Sequence, residues 1–395
     1  MRVGVERIKE NGVPRALQRR RLLERLHLLC ACGVGLEAIA APVTKISRDL
    51  IGAESGSIFW MGGESAALGF YHDSAPVEIK DFFVANFDTL FSNPDEPSMV
   101  SLIAGGGPPI RNFLSRKGLD RFRQSAVFRH LCAPLGHSHV LDVRIDRQDR
   151  GLGVLCLWNG DERPFTARDA LAMEPVRQQL GLAVRSADGS PHWRSTSART
   201  MHLITDAAGT ELLSIDPECE QVLAEAHLLR QRIPMLGGMS MAPGFCADLA
   251  DRLRRGEPAE LDLPIANGRL HLTAAPGRMR ENGTQRSYLM VAIDRQEPLE
   301  VRAVELLCAL PLTLLQKRLA LFAMQGGKRV DCEERFGVRA EALKKHLRTV
   351  YDATGVGSWS ELREIFLRPD RRADSRDNQA LMGRVGQAAA ISRPS

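Results

Sequence analysis

Apolar positions recur through much of the chain with a period near 3.6, interrupted by shorter stretches that alternate. Residues 15–30, RALQRRRLLERLHLLC, read as a basic amphipathic helix with Leu22, Leu23, Leu26 and Leu29 on one broad side. Ile39, Val43, Ile46 and Leu50 follow at i, i+4, i+7 and i+11, and Gly52 stands where a C-cap glycine belongs. SIFWM (57–61) and ALGFYH (67–72) predict short strands, and 77–91 returns to helical spacing. HSHVLDVRID (137–146) and GLGVLCLW (151–158) alternate as adjacent antiparallel strands do. A long helix then starts behind an N-cap at Thr166 and runs to 184.

This order predicts an α+β domain over 15–186, after a lead-in at 1–14, with a turn-rich linker at 187–197. A second α+β module covers 198–297. In it MHLITDAAGTELLSIDPECEQVL (201–223) reads strand, turn, strand, then a helix from Asp216-Pro217. GRLHLTAAPGRM (268–279) and QRSYLMVAIDRQEP (285–298) read as a hairpin of longer strands. The pattern is helical over 298–368, and 369–395 is polar enough to predict a disordered tail.

Within that last helical region, GVRAEALKKHLRTVYDATGV has two faces. Leu343, Leu347, Val350 and Tyr351 form one apolar stripe, and Lys344, Lys345 and Arg348 cluster opposite it. Charge sharpens the picture. The 395 residues carry a net +5, and the segment from Leu310 to Arg372 holds 13 Lys and Arg against 8 Asp and Glu, also +5. The excess is local and points to an anionic partner there. A mixed-charge solvated helix is the plainer alternative.

Composition narrows the class further. At 44% hydrophobic and 26% charged residues, the chain reads as globular. No run of 18 apolar residues suggests a membrane span, and the start lacks a secretory h-region. Eight cysteines without CxxC pairs fit reduced thiols, so a cytoplasmic protein without membrane partners is expected.

Residues 312–362 resemble the DNA-binding helix-turn-helix domain of LuxR-type (NarL/FixJ-like) bacterial regulators. The resemblance rests on Leu312-Thr313, Gln325-Gly326, Phe336-Gly337-Val338, Leu343-Lys344, His346-Leu347, Tyr351, Gly355-Val356 and Glu361-Leu362. It departs at Leu314-Leu315-Gln316, Glu333 and Arg339, where the family carries Pro-Arg-Glu, a small residue and a capping Ser. It implies an all-α, four-helix domain whose second motif helix enters the major groove with Lys344, Lys345 and Arg348. Arg339, Lys328 and Arg329, at the helix starts, would meet phosphate. GLGVLCLWNGDERPFTARDALAMEPVRQQLGLAV resembles part of a GAF-type sensory domain, and HLITDAAGTELLSIDPECEQVL resembles a PAS-type fold.

These resemblances imply a bacterial transcription regulator: a homodimer with double-stranded DNA as partner, RNA polymerase as a further candidate partner, and an unassigned sensory ligand. A signalling adaptor whose C-terminal helices bind protein is the alternative. No cofactor and no catalysis are expected, because GxSxG, HExxH and HRD-type stretches are absent and AGGGPP (104–109) lacks the Lys and Ser or Thr of a phosphate loop. His130, Cys132, His137 and His139 leave a metal-dependent activity as a third reading, since His137 and His139 would share a strand face. Ordinary strand-edge histidines are favoured over it. Asp73, Glu78 and Asp81 read as surface acids. Phe70, Tyr71, Phe82, Phe83 and Phe87 read as core, or as the lining of a ligand pocket. The leucine stripe of 15–30 suits self-association or a cap on the first domain's sheet.

Overall fold

The computed structural model describes residues 15–61, 67–91, 93, 98–105, 107–112, 116–147, 150–160, 163–183, 192–196, 199–226, 228–229, 241–265, 268–281 and 284–367. The lead-in and the tail expected from the sequence lie outside the described residues. The chain divides into two compact units. One is Cys30–Arg302, and the other joins Met1–Leu29 to Ala303–Ser395.

The larger unit holds two antiparallel sheets. Helix α1 (Arg15–Ala31) leads into α2 (Gly35–Ile51), which ends at Gly52 with φ 68°, its N–H donating to the carbonyl of Arg48. Strands β1 (Ser55–Met61) and β2 (Ala67–His72) pair, then come α3 (Val77–Ala85), α4 (Phe87–Leu90), α5 (Met99–Ile103), β3 (Ile110–Asn112) and α6 (Arg116–Arg123). Strands β4 (His139–Arg147) and β5 (Arg150–Asn159) form the expected hairpin, and α7 (Ala167–Ala183) closes the layer. Thr166 caps α7: its Oγ1 accepts from the N–H of Asp169, and the Asp169 carboxylate accepts from the N–H of Thr166.

The first sheet runs β2-β1-β5-β4-β3. Both its faces are covered, so β5 is buried along most of its length. Leu155 and Leu157 face the α2 side, where a side chain at Gly56 would meet Thr44 of α2 and Leu157. Val154, Cys156 and Trp158 face the other way, against Leu102, Phe122 and Cys132. The phenylalanines of the 77–91 region are core: Phe59, Phe83 and Leu90 are buried, with Phe70, Phe82, Phe87 and Phe91 packed on them.

The second sheet runs β8-β7-β11-β10-β9, built from β7 (Met201–Asp206), β8 (Leu212–Ile215), β9 (Glu260–Ile265), β10 (Gly268–Glu281) and β11 (Thr284–Pro298). The turn-rich stretch expected as a linker contributes β6 (Trp193–Ser195), which pairs with the end of β11. Met201, Leu203, Leu270, Leu272, Leu289, Val291 and Ile293 form the inner face, covered by α8 (Pro217–Glu225) and α9 (Gly244–Arg254).

The smaller unit is helical. It comprises α1 up to Leu29, α10 (Leu299–Ala309) from Ala303, α11 (Leu314–Met324), α12 (Cys332–Phe336), α13 (Ala340–Thr354) and α14 (Trp359–Leu367). Leu26, Leu28 and Leu29 of α1 are fully buried. Among the described residues no helix is long and apolar enough to cross a membrane.

Candidate nucleic-acid interface

The helical unit is ordered from its first cap onward. Thr313 and Gln316 form a reciprocal capping box at the start of α11. Helix α11 packs against α13 and α14. Leu319, Phe322, Cys332, Val338, Leu343 and Leu347 make the core, with Phe336, Tyr351 and Trp359 on its edge. The Trp359 indole N–H donates to the carbonyl of Gly327 at 3.0 Å, tying α14 to the turn after α11.

Helix α12 ends at Gly337, in the left-handed region at φ 63° and ψ 35°, with its N–H donating to Glu333. Val338 then inserts into the core and Arg339 starts α13. Arg339 is the N-cap residue but makes no side-chain cap hydrogen bond, so its guanidinium is not used by the helix. Gly355 closes α13 in the left-handed region as well.

Leu343, Leu347 and Val350 are buried, and Tyr351 is half-buried beside them. Lys344, Lys345 and Arg348 are exposed on the opposite side of the same helix. Lys328 precedes a single tight turn, Arg329–Asp331, and it and Arg329 are exposed too, as is Arg339. None of these six cations makes an ion pair among the described residues. Other cations of the unit are engaged. Lys317 is buried and lies 3.8 Å from Glu24. Arg318 stacks over the Phe336 ring at 5.1 Å and Arg335 over Phe322 at 4.7 Å. Those two stacks lie between turns of different helices, and no periodicity announces them. Burial raises the Cys332 thiol and the Tyr351 phenol above their ordinary values, so both stay neutral.

No family model matches the chain. No curated protein matches it either. Among solved structures the chain is similar to the bacteriophytochrome RpBphP3 from the photosynthetic bacterium R. palustris. Identity is 10%, covering 84% of this chain and 78% of that chain, at a TM-score of 0.27.

The other sequence candidates are distributed differently. Strand β4 begins at His139, so His137 lies before it and the two do not share a strand face. The cause is a left-handed Gly136 and the bond from the His137 N–H to the Cys132 carbonyl, which hold His137 in the preceding turn. His130 is exposed and Cys132 buried, and among the described residues no group of three or more His, Cys, Asp or Glu is placed to hold a metal ion. Asp73 is more than a surface acid. It accepts from Arg48 at 2.8 Å, Ser55 at 2.7 Å and the N–H of Gly56 at 3.1 Å, tying α2 to β1 and the end of β2.

A groove on the outer face of the second sheet is lined by Ser195, Arg199, Thr200, His271, Thr273 and Asp294. There Ser195 donates to Asp294 at 2.6 Å while His271 faces Asp262 at 2.8 Å. The Ser195 hydroxyl and the His271 imidazole are thus each held by a carboxylate, Asp294 and Asp262 respectively.

Proposed function

We propose that the chain is a DNA-binding transcription regulator whose α12–turn–α13 segment acts as a helix-turn-helix. Helix α13 would read the major groove, and the upstream α+β modules, GAF-like and PAS-like in sequence, would sense a signal or hold a dimer. The observation that carries this reading is the split of α13. Leu343, Leu347 and Val350 are buried, while Lys344, Lys345 and Arg348 are exposed and make no ion pair among the described residues. Lysine and arginine donate to the O6 and N7 of guanine and neutralise phosphate. Arg339, Lys328 and Arg329 stand at the starts of α13 and of the turn before α12, where backbone N–H groups of α13 add to the attraction for phosphate. A single α13 reads few base pairs, so the active form in this reading is a dimer contacting two half-sites.

The test is a gel shift with captured genomic duplex fragments, comparing the chain with the variant K344A/K345A/R348A. Loss of retention by the variant, with helix content unchanged by circular dichroism, is the expected result. Equal retention overturns the reading. With about six phosphates neutralised, affinity falls on the order of a thousandfold between 50 and 200 mM salt. Salt-independent retention would favour a protein-binding adaptor instead.

A further inference from the structure

Helix α1 opens the described chain, yet its residues up to Leu29 belong to the same compact unit as α11–α14. Two ion pairs fasten it there. Arg25 donates to Glu305 of α10 at 2.9 Å, and Glu24 lies 3.8 Å from the buried amine of Lys317 on α11. Leu26, Leu28 and Leu29 are fully buried, so the apolar side of α1's second half is not open to solvent.

Apart from Leu17, which is 41% exposed, what the first half of α1 offers outward is charge. From Arg15 to Leu23 the helix holds four arginines and no acid. Arg19, Arg20 and Arg21 are all exposed. Arg20 reaches Glu24 at 3.0 Å but remains 76% exposed, and Arg19 and Arg21 make no ion pair among the described residues. Over 15–29 the balance is five arginines to one glutamate, +4. Over 303–367 it is ten Lys and Arg to eight Asp and Glu, +2. Two thirds of the unit's net positive charge over these residues therefore sits on α1.

The placement is also unfavourable for an isolated helix. Arg15 stands in the first turn, where the helix dipole is positive and no acidic residue offsets it. Arg15 and Arg19 are also spaced i, i+4, where like charges on a helix repel. An anion lying along the helix relieves both terms.

Resting on the reading of α13 as the groove-binding helix, we propose that the exposed arginines Arg19, Arg20 and Arg21, which fan out around the first half of α1, are a second contact for the phosphate backbone of duplex DNA. It would supply sequence-independent affinity while α13 supplies discrimination. The burial of Leu26, Leu28 and Leu29 favours DNA over a lipid surface, because a membrane-bound amphipathic helix needs its apolar face free.

The experiment is a salt titration of binding to a 30-base-pair random-sequence duplex. It compares the full chain with R19Q/R20Q/R21Q, R19K/R20K/R21K and K344A/K345A/R348A. The glutamine variant is expected to lower the slope of log affinity against log salt by about 2 to 3, and affinity at 50 mM salt by at least about tenfold. The lysine variant should retain the original slope, which separates charge from any effect on folding. If the full chain binds duplex and loses binding in the α13 variant but not in the glutamine variant, this inference fails and the α13 reading stands. If the full chain does not bind duplex at all, both fail. A parallel sedimentation assay with phosphatidylserine vesicles covers the other surface: if the glutamine variant loses vesicle binding while its duplex binding is unchanged, these arginines serve a membrane and the inference is overturned.

Discussion

The imidazole of His137 lies parallel to the indole of Trp158, ring planes 10° apart and centroids 5.4 Å apart. The ring of His72 also lies 5.5 Å from it, at 12°. His137 is buried and its Nε2 finds no hydrogen-bond partner among the described residues. Desolvation holds its pKa below the ordinary imidazole value of 6.5, against the partial opposing pull of Asp73 and Glu54.

A pH dependence follows, with its sign set by linkage. Between the folded and unfolded pKa values the unfolded chain binds the proton and the folded chain does not. The larger unit should therefore keep its full stability at pH 7 to 8 and lose stability as pH falls below about 6.5. Urea midpoints at pH 8 and pH 5.5 measure this. His137→Phe, which keeps a flat ring beside Trp158 and cannot titrate, should shrink the difference between the two midpoints. An undiminished difference would remove His137 as its source.

Arg111 and Asp142 are cross-strand partners in the β3–β4 ladder, with guanidinium nitrogens 2.7 and 3.2 Å from the same carboxylate oxygen. Asp142 is only 5% exposed. Arg111→Ala leaves that carboxylate buried without its cation and should cost about 3–5 kcal/mol by urea unfolding. Arg111→Met with Asp142→Leu should recover most of the loss, because replacing both charges removes the desolvation penalty together with the attraction.

Gly337 tests the turn before α13. At φ 63° a side chain is strained by the backbone alone, since nothing lies within 4 Å of where its Cβ would stand. Gly337→Ala should destabilise the helical unit by about 1–2 kcal/mol and Gly337→Asn by less, because asparagine tolerates the left-handed region. Equal losses would point to a clash instead. A spectroscopic melt of α-helix content reads the difference.

The eight free cysteines are predicted to be quiet. Seven are buried and Cys308 is half-buried. Desolvation pushes Cys32 and Cys219 up to about 12 and Cys308 up to about 11. At pH 8 almost no thiolate is present, so a thiol reagent should label the native chain slowly, Cys308 first. All eight should react in denaturant. Fast native labelling of several thiols would contradict the burial described for them.

Long elements were legible because their burial is periodic. The hairpin of β10 and β11 and the helices α2, α7 and α13 each present enough consecutive apolar positions to reveal one face. The short elements were not. Helices α5 and α6 span 5 and 8 residues, too few turns for a periodicity to emerge. Strand β9 carries Pro264, which lowers its strand signal, and it sits at the sheet edge where proline is tolerated. Strand β6 is three residues of a turn-rich stretch, and its strand character comes from pairing with β11.

The cationic face of α13 was legible for the same reason as its apolar stripe: both follow from residue order along a single helix, whose geometry is local. Which cations are free and which are occupied was not. Lys317 against Glu24, Arg318 over Phe336 and Arg335 over Phe322 join residues from separate elements. The partnership of α1 with α10 and α11, through Arg25 with Glu305 and Glu24 with Lys317, spans some 280 residues of chain. Residue order determines the faces of a helix because 3.6 residues make a turn in any context. Which face meets which is decided only when distant segments bury their surfaces together, and that happens in the tertiary structure alone.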